Sequence, residues 1–213
     1  MSFLVDIAPN LLRGLVVTIE LTIGSVALAI IFAMIAGLGR ISRFSLIRIA
    51  TGFYVEIFRG TSILVQLFWL FYVLPFFGIM LPPLLTGILG LGLHGGAYGS
   101  EIVRGAIVAV PKGQTEAAIA LNMTRTQRMF RIILPQAILM MLPPFGNLSI
   151  ELFKLTAIAS LITLNELTFH AYNLTMVVGR QTEIFTLLLI IYFAVGYPFT
   201  LFMRKIERSF RLP

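Results

Sequence analysis

The 213-residue chain contains no cysteine. That removes a disulfide framework, a thiolate metal site and a cysteine nucleophile. Charge is also scarce, at 12% of residues against about 25% in an ordinary soluble domain. Histidine occurs twice, as His94 and His170, and nothing pairs the two into a ligand cluster, so no metal site is expected. There is no H-E-x-x-H run and no nucleophile–base pair, which makes an intramembrane enzyme a remote reading. There is no G-x-x-x-x-G-K-[ST] phosphate loop and no Gly-Lys pair at all, so nucleotide hydrolysis is not expected of this chain.

What is abundant is apolar surface. Hydrophobic residues make up 58% of the chain and the mean hydropathy is +0.97. A span needs roughly 20 apolar residues, and five segments qualify. They run from about Leu15 to Leu38, Thr61 to Phe77, Leu84 to Val108, Ala137 to Leu161 and Ile184 to Phe202. The fold class expected is therefore all-α, an integral membrane bundle of five transmembrane helices forming one domain over residues 1–213. The start, MSFLVDIAPN, has no basic leader region, so the first span reads as a retained helix. A bundle this small encloses little, so a polar pathway needs a second copy or a sister chain.

The net charge of +7 raises nucleic acid as a partner, and the placement of the bases dismisses it. Thirteen of the sixteen bases fall in three groups between or after spans. Arg40, Arg43, Arg48 and Arg59 form the first group. Arg104, Lys112, Arg125, Arg128 and Arg131 form the second, and Arg204, Lys205, Arg208 and Arg211 the third. The positive-inside bias then puts the N-terminus outside and the C-terminus in the cytoplasm.

The third-to-fourth connection, residues 110–136, is too long and too patterned for a plain linker. Gln114 to Leu121 reads as a short helix, Asn122 interrupts it, and Thr124 with Gln127 makes a capping box that starts a second one. Around Glu116, Arg125 and Arg128 lie the small residues Ala117 and Ala118, which permit close approach of another backbone. A solvated amphipathic loop is the plain alternative.

These residues carry a resemblance. Glu116-Ala117-Ala118, then position 122, Ile132 and Leu134-Pro135, fall at the spacing of the EAA loop of ABC importer permeases. The family's glycine is replaced by Asn122. Asn tolerates a left-handed backbone, so positive φ is expected there. The stretches Phe58 to Pro75, Gly95 to Ala118 and Asn147 to Thr168 resemble the polar amino-acid branch of that family. Residues 151–169, ELFKLTAIASLITLNELTF, are most similar to permease subunits for ectoine and hydroxyectoine.

The resemblance implies a type I importer in a bacterial inner membrane. Two permease chains, identical or homologous, would form the pathway, a cytoplasmic ATPase dimer would drive it, and an extracytoplasmic solute-binding protein would deliver the solute. ATP and magnesium would belong to the ATPase, with no cofactor on this chain. Residues 110–136 would be the coupling helix, with Glu116, Ala117, Ala118, Asn122, Arg125 and Arg128 as its contact set. An ATP-independent channel or secondary carrier is the competing class.

Ionisable residues inside spans usually face a pathway or each other. Glu20, Glu151 and Lys154 qualify, and Glu151 and Lys154 sit three apart, close enough for an ion pair. In the pathway reading Glu151 meets a cationic group and Lys154 a carboxylate. Gln66, Asn147, Thr156 and Asn165 are candidates for neutral hydrogen bonds to the same solute. The branch's usual Lys-Asp-Thr-Ser reads Lys154-Leu155-Thr156-Ala157 here, which argues against a strongly cationic solute. Gly92, Gly95, Gly96 and Gly99 put small residues on one face of the third span for close helix packing. Glu101 and Arg104 form an expected local pair, and Pro198 is a candidate kink.

Overall fold

A computed structural model describes residues 2–210, with side chains for residues 7–205. Arg211 lies outside the described residues, as does the side chain of Arg208. Among them the protein is helical, with no strand. The helices are α1 (Ser2–Arg40), α2 (Ser45–Gly60), α3 (Ile63–Phe68), α4 (Pro83–Ala109), α5 (Lys112–Ala120), α6 (Arg125–Arg128), α7 (Leu134–Leu155), α8 (Leu167–Val178) and α9 (Gln181–Phe210).

Among the described residues, three stretches are long and apolar enough to cross a membrane: Ile7–Arg40, Arg125–Ile162 and Gln181–Lys205. A fourth is available if α2 and the α3 segment, bent by 105° between them, count as one broken span. The expected third span is α4, a 27-residue helix and so about 40 Å long. Its glycines and its single histidine keep it below the apolarity of the others.

Those glycines explain its position. A Cβ at Gly92 would meet Leu28 at 2.7 Å, one at Gly96 would meet Phe32 Cβ at 2.5 Å, and one at Gly99 would meet Ala33 at 2.7 Å. Along the expected small-residue stripe the α1 side chains thus seat directly on the α4 backbone. Around it a core of Leu21, Ala29, Leu67, Leu91, Leu152 and Ile162 joins α1, α3, α4 and α7.

Helix α2 occupies residues expected to be a basic linker. Its end is set by the extended backbone of Thr61 (φ −122°, ψ 155°) and Ser62 (φ −71°, ψ 136°). The Gln66 side chain then closes the corner. Its amide donates to the carbonyls of Phe58 at 2.9 Å and Thr61 at 3.2 Å, and to the Thr61 hydroxyl at 2.8 Å. The last carbonyls of a helix have no partner within it, and Gln66 supplies one. After α3 the chain widens into a π turn (Trp69–Val73), tightens into a 3-10 turn (Leu74–Phe77) and stops at Gly78 with φ 80°. Helix α7 likewise tightens into a 3-10 stretch (Thr156–Ile162) that ends at Thr163 with φ 62°. Helix α9 runs through Pro198 without a break.

Candidate functional site

The folded connection between α4 and α7 is the first site. Helix α5 ends in a Schellman arrangement: Met123 N–H donates to the Ala118 carbonyl at 3.0 Å and Asn122 N–H to the Ile119 carbonyl at 2.9 Å. This geometry needs a left-handed residue, and Asn122 has φ 54° as expected. Two residues on, Thr124 Oγ1 accepts from Gln127 N–H at 3.3 Å and Gln127 Oε1 from Thr124 N–H at 2.9 Å, completing the expected capping box. Helix α6 continues through a π turn, Met129–Ile133, against which α5 packs.

The two small residues of this site differ. Ala117 is exposed, whereas Ala118 is 1% exposed. Ala118 is small because α5 has no room inside, so its Cβ does not face a visitor. The exposed surface instead carries Glu116, Ala117, Arg125 and three large apolar side chains, Ile119, Leu121 and Phe130. Arg128 Nε is buried with no hydrogen-bond partner among the described residues.

The second site is a cleft between α7 and α9. Asn147, Glu151, Lys154 and Thr200 line a cavity of about 400 Å³ together with Ile150. Lys154 and Thr200 also border an adjoining cavity of about 640 Å³ whose walls include Phe153, Tyr192, Phe193 and Tyr197. The cleft is polar at one end and aromatic at the other. The expected Glu151–Lys154 ion pair is not formed, although one helical turn separates the two. Both side chains are exposed, and an exposed pair gains too little, about 0–1 kcal/mol, to fix two long side chains. Each charge is therefore left for another partner.

The remaining pathway candidates lie elsewhere. Glu20 is exposed on the outer side of α1, and Asn165 is exposed in the turn before α8. Thr156 is fully buried and its hydroxyl donates to the Phe153 carbonyl at 2.7 Å. Gln66 is consumed at the α2–α3 corner, with its Oε1 facing His94 Nδ1 at 3.3 Å.

Two polar clusters outside these sites hold the helices in place. Glu101 forms the expected pair with Arg104 at 3.0 Å, and it also accepts from Arg40 at 2.6 Å and Arg59 at 2.8 Å. One carboxylate therefore ties the last turns of α1 and α2 to α4. Glu166 is fully buried. Its Oε1 caps α8 by accepting from Phe169 N–H at 2.7 Å, and its Oε2 accepts from the Tyr192 hydroxyl at 3.2 Å. Burial pushes its carboxyl up from the ordinary range, against the opposing pull of the Thr168 and Phe169 N–H groups. The sequence signal for this cap is an acidic residue directly before the apolar run that opens α8.

With the geometry described, comparison with known proteins decides the family. Residues 29–212 match the binding-protein-dependent transport system inner membrane component. This chain belongs to that family. A probable amino-acid ABC transporter permease protein of Sinorhizobium fredii is 45% identical over 92% of this chain and 85% of its own length. The L-cystine transport system permease protein of Bacillus subtilis is 43% identical over 75% of this chain and 68% of its own. Among solved structures, the crystal structure of an amino acid ABC transporter with histidines superposes with a TM-score of 0.92. Its identity is 34%, over 98% of this chain and 97% of that one. The inward-facing methionine transporter MetNI superposes at 0.74 with 19% identity, over 92% and 96%, which speaks for the fold alone. The inner membrane component family accounts for the apolar helices.

Proposed function

We propose that this chain is the membrane permease subunit of a type I ABC importer for polar amino acids, lying in a bacterial inner membrane with its N-terminus outside. The observation that carries the reading is the α5–α6 unit. It is a helix pair joined through a Schellman turn and a capping box that presents apolar Ile119, Leu121 and Phe130 to solvent. Such a surface fits a groove on a separate ATPase dimer, where Glu116, Ala117 and Arg125 set the register through charge-assisted contacts. ATP and magnesium reside on that ATPase. A second permease chain closes the pathway, and an extracytoplasmic binding protein delivers the solute.

The α7–α9 cleft is the solute's place in this reading. Glu151 takes the ammonium and Lys154 the carboxylate, while Asn147 and Thr200 supply neutral hydrogen bonds. The unpaired state of Glu151 and Lys154 supports a zwitterionic solute, and relatives named for L-cystine and for octopine transport fit that chemistry. Ectoine or hydroxyectoine is a narrower version that rests on the resemblance of residues 151–169 alone.

The test is uptake into proteoliposomes holding this chain with its ATPase and binding protein, using labelled polar amino acids and ectoine. Uptake that requires ATP and the binding protein supports the importer. Uptake by this chain without ATP would establish the channel or carrier instead.

A further inference from the structure

Helix α2 is a three-faced helix, and two of its faces are exposed along most of their length. One face packs inward: Val55 is buried, and Tyr54 donates to the Leu93 carbonyl at 2.6 Å. A second face is an apolar stripe of Leu46, Ile49, Phe53 and Ile57, exposed by 80%, 67%, 67% and 43%. These positions recur at three- and four-residue steps and so lie on one side of the helix. A third face carries Ser45, Arg48, Glu56 and Arg59, all exposed. At 3.6 residues per turn it lies roughly 120° round from the apolar stripe.

A helix that crossed the hydrocarbon would drag this polar stripe through it, at several kcal/mol for each charge. A helix lying in the interfacial plane avoids that conflict, because one free face meets acyl chains while the other meets headgroups. The 105° bend to the α3 segment gives the required change of direction. The net charge selects the headgroup. Arg40, Arg43, Arg48 and Arg59 stand against Glu56 in residues 40–60. Arg40 and Arg59 are engaged by Glu101. Arg43 and Arg48 are exposed, with Arg43 held over the Phe44 ring at 4.7 Å.

We propose that α2 lies in the membrane interface and holds an anionic phospholipid there. The Leu46–Ile57 stripe lies among its acyl chains, and Arg43 and Arg48 engage its phosphate. The site depends on membrane insertion, independently of the solute or the coupling partner. Charge complementarity chooses the occupant, since basic residues at a membrane surface each favour anionic lipid.

Two measurements on the assembled transporter test this. In nanodiscs, Phe53→Trp in a Trp69→Phe background should be quenched by phosphatidylcholine brominated high on the acyl chain. Lipid brominated near the chain terminus should quench it weakly. Equal or stronger quenching from the deep position would mean that α2 spans, and no quenching from either would mean that protein covers the stripe. Both results overturn the proposal. In native mass spectra, the preference of the complex for retained phosphatidylglycerol over phosphatidylcholine should fall about fivefold for each of Arg43→Gln and Arg48→Gln. Arg→Lys at either position should preserve it. If the glutamine variants fail to assemble, salt titration of the unaltered complex serves in their place. A preference that does not weaken with salt, or that survives both glutamine substitutions, overturns the headgroup assignment.

Discussion

Gln66 donates its side-chain amide to the carbonyl of Phe58, 2.9 Å away, across the corner between α2 and α3. The same amide reaches Thr61 twice, so its hydrogen-bonding capacity is used within the chain. Gln66→Leu should lower the thermal stability of the purified complex by about 1–2 kcal/mol, the worth of terminal carbonyls left unsatisfied. The KM for solute should stay unchanged in the fraction that folds. A raised KM at unaltered melting temperature would return Gln66 to the pathway.

The two alanines of the folded connection should separate docking from folding. Ala117 is exposed, so Ala117→Trp should leave the melting temperature within about 0.5 kcal/mol of the parent. It should also abolish solute-stimulated ATPase activity or co-purification of the ATPase. Ala118 is buried, so Ala118→Trp should destabilise by about 1–3 kcal/mol through overpacking. Equal effects of both on stability would contradict the geometry described.

At Asn122 the backbone is left-handed, with φ 54°. Asn122→Gly should be neutral or slightly stabilising. Asn122→Val should cost about 1–2 kcal/mol through the clash of a β-branched side chain in that region. Limited proteolysis between α5 and α6 would report the loss directly, and equal protection of both variants would count against it.

In the α7–α9 cleft, Glu151→Gln and Lys154→Gln should each raise the KM for a zwitterionic solute about tenfold to a hundredfold. That is the range for a lost charged hydrogen bond. Both variants should melt with the parent, since no ion pair is broken. A loss of stability with unchanged KM would assign the two charges a structural role.

Glu166 gives a pH prediction. Its carboxyl is pushed up by burial, so folding favours the protonated form. That contribution to stability is complete below the ordinary carboxylate range and is lost as pH rises through the elevated folded value. Thermal melts should therefore fall with rising pH more steeply for the parent than for Glu166→Gln, which keeps an acceptor for Phe169 N–H and cannot ionise. Parallel curves would show that Glu166 does not titrate in that window.

What was legible in the sequence was local. The left-handed Asn122 was legible because Asn stands where the resembled family has glycine, the Thr124–Gln127 box is set by residues three apart, and the glycine face of α4 repeats with the helix. The Glu101 cluster was half legible. Arg104 lies three residues away, but Arg40 and Arg59 arrive from 61 and 42 residues off. Only packing brings those helix ends together. Helix α2 was hidden because its arginines gave the segment the character of a linker, while its apolar positions fell on one side. The burial of Ala118 and the capture of Gln66 at a corner depend on the π turn after α6 and the extended pair Thr61-Ser62. Neither has a residue signature.

The glycine seam between α1 and α4 has a mechanical consequence. At Gly92, Gly96 and Gly99 the α1 side chains Leu28, Phe32 and Ala33 press on bare α4 backbone, so the two helices interlock and cannot slide past each other without separating. They form a stiff spar. Room for movement lies instead on the α7–α9 side, where cavities of about 400 and 640 Å³ separate the helices.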